Sequence, residues 1–135
     1  MRVALGIGCD RGTSADTIAR AVVEALALAR VDFADVAAVA SITLKADEPG
    51  LLALAERRGW AVTFYAPEQL ADVPVPNPSE TVRKYTGTPS VSEAAALLAA
   101  GANPHALLVE KHKHRGPDGR NATVSVARAQ TSPDI

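Results

Sequence analysis

Val3-Ala4-Leu5-Gly6-Ile7-Gly8-Cys9-Asp10-Arg11-Gly12-Thr13-Ser14 is the stretch that decides the fold. Residues 3–8 form a short apolar run followed by glycines, which reads as a buried strand entering a turn. Thr13 or Ser14 is placed to cap a helix, with Asp16 in its first turn. Ile18, Val22, Leu26 and Ala29 then recur at helical spacing, giving a helix to about Arg30 with one buried stripe. A strand turning into an amphipathic helix opens an α/β fold.

The pattern continues outward. Residues 36–43 read as a second buried strand, although their alanines leave a helical reading open. Asp47 can cap a helix that carries Leu51, Leu52 and Leu54, has Glu48 and Pro49 in its first turn, and stops near Gly59. Residues 60–65 alternate and are β-rich, a third strand. Residues 67–70 suit a short helical turn. The prolines of Val73-Pro74-Val75-Pro76-Asn77-Pro78-Ser79 exclude regular helix and central strand there. Ser79 can cap a short helix through Lys84, broken at Gly87-Thr88-Pro89. Ser90 and Glu93 have capping-box spacing, and the alanine-rich helix they begin ends near Gly101. A fourth strand at 105–110, a polar loop at 111–121 and a final strand at 122–127 suggest a hairpin. The expectation is a layered α/β sandwich with a mixed, mainly parallel sheet and a C-terminal β-hairpin, one domain over residues 1–128 and a flexible tail at 129–135.

Composition narrows the function classes. Of 135 residues, 47% are apolar and 21% charged, which suits a globular domain. Fourteen Lys+Arg against fifteen Asp+Glu leave a net charge of −1, so no chain-wide basic footprint for nucleic acid exists. One cysteine excludes an intramolecular disulfide and a multi-cysteine zinc cage. No apolar run approaches a membrane span, and the first residues are too short an apolar stretch for a signal peptide. The expectation is a cytoplasmic protein with no nucleic-acid and no membrane partner.

Four stretches could carry chemistry. The glycine turn offers backbone N–H groups at Gly8 and Gly12, a helix N-terminus at Thr13 and Ser14, and the Arg11 guanidinium, all suited to an anion. It is neither a Walker A loop, lacking the lysine before Thr13, nor a dinucleotide fingerprint, whose third glycine would fall at position 11. The alternative is a tight turn before a capped helix. Cys9, just before that helix, could be stabilised as a thiolate. Lys45-Ala46-Asp47-Glu48-Pro49-Gly50 joins the second strand to its helix. If the first two strands are parallel, Lys45 and Arg11 could reach one crevice. Asn77 and the Thr88–Ser90 turn supply amide and hydroxyl groups on rigid loops, which equally suit simple turns. In Lys111-His112-Lys113-His114-Arg115, the two histidines would share a face if extended, but no third metal ligand is visible, so no metal is expected and a mobile cationic loop is the reading.

Taken in order, these stretches resemble the cobalamin-biosynthesis family represented by CobE and by the C-terminal domain of CbiG. The resemblance rests on Gly6-Ile7-Gly8-Cys9 with Arg11-Gly12-Thr13-Ser14, on Leu44-Lys45-Ala46-Asp47-Glu48-Pro49-Gly50-Leu51, and on Val75-Pro76-Asn77-Pro78-Ser79. Gly87-Thr88-Pro89-Ser90-Val91-Ser92-Glu93-Ala94-Ala95-Ala96, the segment from Leu107 to Lys113, and Ala122-Thr123-Val124-Ser125-Val126-Ala127 complete it. It implies a role in building the corrin ring of vitamin B12. The ligand it implies is a precorrin or corrinoid tetrapyrrole, with no separate cofactor. Gly8, Arg11, Gly12, Thr13, Ser14, Lys45, Asn77, Thr88, Ser90 and Lys111 would hold it, and the protein would act as carrier or accessory factor. Full-length CbiG proteins open a lactone on a cobalt-precorrin, but their N-terminal and middle regions have no counterpart here. The resemblance therefore also allows a hydrolase, with Cys9, Thr13 or Ser14 as nucleophile or Glu48 or Glu93 as general base. It further allows a module that recruits other cobalamin-biosynthesis enzymes. The loop at 111–121 is longer and richer in His and Arg than the family pattern.

Overall fold

Side chains of the first strand, β1 (Val3–Cys9), alternate between two cores. Val3, Leu5 and Ile7 join the core formed with the first helix. Ala4, Gly6 and Gly8 face the opposite way, toward an alanine-rich helix near the end of the chain. A strand with small residues on one face and large ones on the other lets one helix approach closely while the other packs across a thick apolar layer. The computed structural model describes residues 1–88 and 90–129, and the elements below follow from this alternation.

After β1 come α1 (Ala15–Ala29), β2 (Val36–Ile42), α2 (Pro49–Arg58), β3 (Val62–Tyr65), α3 (Pro67–Ala71), α4 (Glu80–Thr86), α5 (Val91–Ala100), β4 (Leu107–Arg115) and β5 (Asn121–Arg128). They form one five-stranded sheet in the order β3-β2-β1-β5-β4. β1, β2 and β3 pair in parallel, whereas β5 runs antiparallel to both β1 and β4. Four of the five strands thus point the same way, and the sheet is mixed, mainly parallel and closed by a C-terminal hairpin. α1 and α2 cover one face, burying Ile18, Val22 and Leu26 with Leu51 and Leu54. α5 covers the other, with Leu70 of α3 beside it.

Local chemistry sets the element ends. Ser14 caps α1, its hydroxyl accepting from the Thr17 N–H at 3.1 Å. α1, α2, α4 and α5 end in left-handed residues: Arg30 at φ 59°, and Gly59, Gly87 and Gly101.

Several sequence expectations need correction. Asp47 does not cap α2. Glu48 holds that position, Pro49 begins the helix, and Asp47 turns outward to Arg11. Ser90 precedes α5, but its side chain makes no capping bond, and Glu93, the other half of the expected capping box, is drawn to Asn77 instead of back to Ser90. The third strand starts at Val62, not Trp60. Most of the expected polar loop at 111–121 is strand: β4 runs on to Arg115 because β5 pairs it residue by residue, Lys113 opposite Thr123 and Arg115 opposite Asn121. Only a tight turn remains, closed by the Gly116 N–H donating to the Arg120 carbonyl at 2.7 Å. Of the expected tail, Ala129 donates to the Arg2 carbonyl at 2.9 Å, and residues 130–135 lie outside the described residues, as does Pro89.

Candidate functional site

The parallel strands end together at one edge of the sheet, where ligands of open α/β sheets usually sit. Between the ends of β1, β2 and β4 and the start of α5 lies a cavity of 280 Å³. Lys45 enters it from the turn after β2. Lys111 and Lys113 enter from β4, Gly8 and Cys9 form part of its floor, and Ser90 and Ser92 bring the first turn of α5. The lysines stand on opposite walls, because β1 and β5 separate β2 from β4. Asp10 is the acidic residue of the lining, and its Oδ2 is already occupied by the Asn121 N–H at 2.7 Å.

Strand periodicity explains why lysines and histidines of β4 separate. Lys111 and Lys113 point into the cavity on the α5 side. His112 and His114 point to α1, where the Glu24 carboxylate lies 2.7 Å from His112 Nε2 and 3.4 Å from His114 Nδ1. The hydrogen bond from His112, helped by the charge of His114, holds the Glu24 carboxyl below its ordinary range. This is an ordered strand, not a mobile cationic loop. The same period-two argument that put both histidines on one face puts Lys113 beside Lys111; reading the segment as a loop hid Lys113.

Glu48 organises the neighbouring turn. It is 1% exposed, and its Oε1 accepts the Gly12 N–H at 2.8 Å. Its Oε2 lies 3.2 Å from Arg11 Nη1 and 3.8 Å from Lys45 Nζ. Arg11 and Lys45 do converge, but on Glu48. Arg11 is further tied to Asp47 at 2.9 Å and to the Leu44 carbonyl at 3.0 Å, and it does not line the lysine cavity.

The remaining candidates divide. Gly12, Thr13 and Ser14 border a separate shallow depression against α2. The Thr13 hydroxyl donates to the Asp10 carbonyl at 2.7 Å, and Ser14 Oγ caps α1, so both hydroxyls have structural tasks. Asn77 lies outside the cavity but anchors its rim. Its N–H and Nδ2 donate to buried Glu93 at 3.2 and 2.6 Å, and its carbonyl accepts from Lys111 Nζ at 3.2 Å. Thr88 is fully buried, and Thr88 Oγ1 has no hydrogen-bond partner among the described residues. Glu93 has no free access to a substrate, which removes the geometry a general base requires.

Cys9 corrects the thiolate reading. Burial, above all, pushes its thiol up to about 11 from 9.0, and neighbouring Lys45 offsets this only in part. The thiolate is the reactive form, so raising the pKa by about two units cuts its fraction near neutrality about 100-fold. Iodoacetamide at pH 7.5 is accordingly expected to label Cys9 far more slowly than free cysteine, with the rate still climbing above pH 9. Labelling as fast as free cysteine at pH 7.5 would contradict this environment.

A larger hollow, 690 Å³, lies at the opposite end of the sheet beside Arg2, His105 and Arg128. None of the sequence-derived candidates reaches it. Among the described residues no helix is long and apolar enough to cross a membrane.

Comparison with known proteins gives a consistent result. The family model described as cobalamin synthesis G C-terminus matches residues 3–127. The chain is 41% identical to the cobalt-precorrin-5A hydrolase of Priestia megaterium over 93% of its own length but 32% of that protein's. It is 39% identical to the protein CobE of a Sinorhizobium species over 79% of this chain and 70% of that one. It therefore spans about a third of the hydrolase it matches. The crystal structure of CobE, a protein from the cobalamin (vitamin B12) biosynthetic pathway, superposes with a TM-score of 0.81 at 36% identity, covering 97% of this chain and 92% of that one.

Proposed function

The chain belongs to the cobalamin synthesis G C-terminus family, and from this premise we propose that it binds a tetrapyrrole intermediate of cobalamin biosynthesis as a carrier or accessory factor. The observation that carries the reading is the lysine-walled cavity at the strand ends, with Lys45 on one side and Lys111 and Lys113 on the other. Precorrins are flat, largely apolar macrocycles edged by several carboxylates. Opposed ammonium groups suit such a polyanion better than one clustered charge does.

The cavity's size shapes the proposal. At 280 Å³ it lies just below the roughly 300–1,000 Å³ of pockets that enclose a drug-sized ligand. It seats an edge of the macrocycle and leaves the rest open, an arrangement suited to handing the ligand on. The enzymatic reading has weaker support. Cys9 is held protonated, the hydroxyls of Thr13 and Ser14 are committed, and Glu48 and Glu93 are buried against internal partners.

The test is an absorbance and calorimetric titration with pathway tetrapyrroles, from early precorrins to hydrogenobyrinic acid, with the ligand's mass measured afterwards. Saturable binding with unchanged mass is expected. Lys111→Ala and Lys113→Ala should each weaken it about tenfold at low salt, the loss of one charge-assisted contact, with the difference shrinking as salt is added. Absence of saturable binding would overturn the reading, and a changed mass would replace it with an enzymatic one.

A further inference from the structure

We propose that the first turn of α5 is a carboxylate subsite, in which the Ser90 hydroxyl and the leading backbone N–H groups of α5 grip one carboxylate of the ligand. The tetrapyrrole reading supplies only the owner of that carboxylate; the subsite is argued from its own geometry.

Ser90 is 1% exposed, lines the lysine cavity, and its Oγ has no hydrogen-bond partner among the described residues. A buried hydroxyl without a partner lowers stability, a cost that calls for an explanation such as a ligand it serves. Ser90 also sits where a serine normally caps its helix, yet with φ −159° and ψ 105° its side chain makes no capping bond. The residue that would complete a capping box, Glu93, is taken by Asn77 through both carboxylate oxygens. The leading N–H groups of a helix have no partner within it and carry the positive end of the helix dipole. Hydroxyl and amides therefore border a cavity whose lysines favour a negative ligand. The neighbouring Ser92 hydroxyl does not compete, since it lies 2.9 Å from Ser125 Oγ.

The lysine arrangement favours carboxylate over phosphate. Lys45 follows β2 and Lys111 and Lys113 lie on β4, three strand spacings apart in the sheet, about 14 Å between backbones. Charges spread so widely match separate singly charged groups around one ligand, with the α5 turn gripping the group between them. A single phosphate would leave one wall unused.

The experiment is an amide NMR titration of the whole chain with sodium propionate at constant ionic strength, repeated with inorganic phosphate. Saturating shifts concentrated at Ser90, Ser92 and Glu93 are expected. Ser90→Ala should weaken propionate about fivefold, the loss of one hydrogen bond. Its thermal midpoint should stay the same or rise, because the orphan hydroxyl is gone. Diffuse shifts that never saturate, a Ser90→Ala variant that titrates like wild type, or a fall in its thermal midpoint would each overturn the subsite. Tighter, competing binding of phosphate would overturn the carboxylate assignment. The two readings fail separately. Propionate binding without tetrapyrrole binding would sink the function and keep the subsite; lysine-dependent tetrapyrrole binding without propionate shifts would do the reverse.

Discussion

Gly6→Ala is expected to destabilise the protein by about 3 kcal/mol or more and to lower its thermal midpoint by roughly 10 °C. A Cβ built at Gly6 would stand 1.9 Å from the Ser92 carbonyl oxygen and 2.6 Å from the Ala96 nitrogen. Both are backbone atoms of α5, so no side-chain rotation relieves the clash. Either α5 lifts off the sheet, opening the packing of Ala94, Ala95 and Ala96 that its closeness permits, or β1 bends. Gly59→Ala is the control. Gly59 has a positive φ of 71°, but a Cβ there would meet nothing within 4 Å. It should lose only the roughly 1–2 kcal/mol of left-handed strain. Thermal unfolding of both variants separates the two causes. If Gly6→Ala melted like Gly59→Ala or higher, close seating of α5 on β1 would not be a foundation of the fold. Because Ser90 and Ser92 begin α5, any Gly6→Ala protein that still folds should also bind anions more weakly.

Glu48→Ala should be the next most damaging change, about 2–4 kcal/mol by denaturant unfolding. Its carboxylate is buried, satisfies the Gly12 N–H, and faces the largely buried Lys45. Removing it leaves an amide unpaired and a lysine without its counter-charge. The half-exposed Arg11 adds little, being screened by water and held by Asp47. Glu48→Gln keeps an acceptor for Gly12 and should lose less than half as much. It should also strengthen anion binding, since Lys45 then offers its full charge to the cavity. Equal stability of Glu48→Ala and wild type would show that the turn after β1 holds itself without this carboxylate.

Elements that announce themselves locally were readable before the structure. The glycine-ended run of β1, the stripe of Ile18, Val22 and Leu26, and the stops at Gly59 and Gly101 depend on a few neighbouring residues. What depends on distant partners was not. Lys111 to Arg115 has loop composition and becomes strand only because β5 supplies its hydrogen bonds. Asp47 and Glu48 are equivalent candidates for a cap until Gly12 and Arg11 approach from the other turn and bury one of them. Ser90 and Glu93 carry the spacing of a capping box, and nothing nearby in sequence foretells that Asn77 captures Glu93. For the site the pattern repeats. Lys45, Lys111 and Ser90 were visible as polar residues at strand and helix ends. Arg11 looked equally eligible, and only its two carboxylate partners take it out of the cavity.

The position of β5 has a consequence for how the molecule is made. β5 is inserted between β1 and β4, with Val3 opposite Arg128 and Cys9 opposite Ala122. On the ribosome, β1 emerges first and can recruit β2 and β3, but its other edge stays bare until nearly all of the described chain has been synthesised. For that interval it presents a row of unpaired N–H and C=O groups to any passing strand. The barrier to completing the sheet is the closure of one very long loop, a contact of the kind that slows folding. The cavity at the strand ends needs β4 in place, and β4 is held by β5. A nascent chain therefore completes this cavity in one late step, when β5 takes its place between β1 and β4.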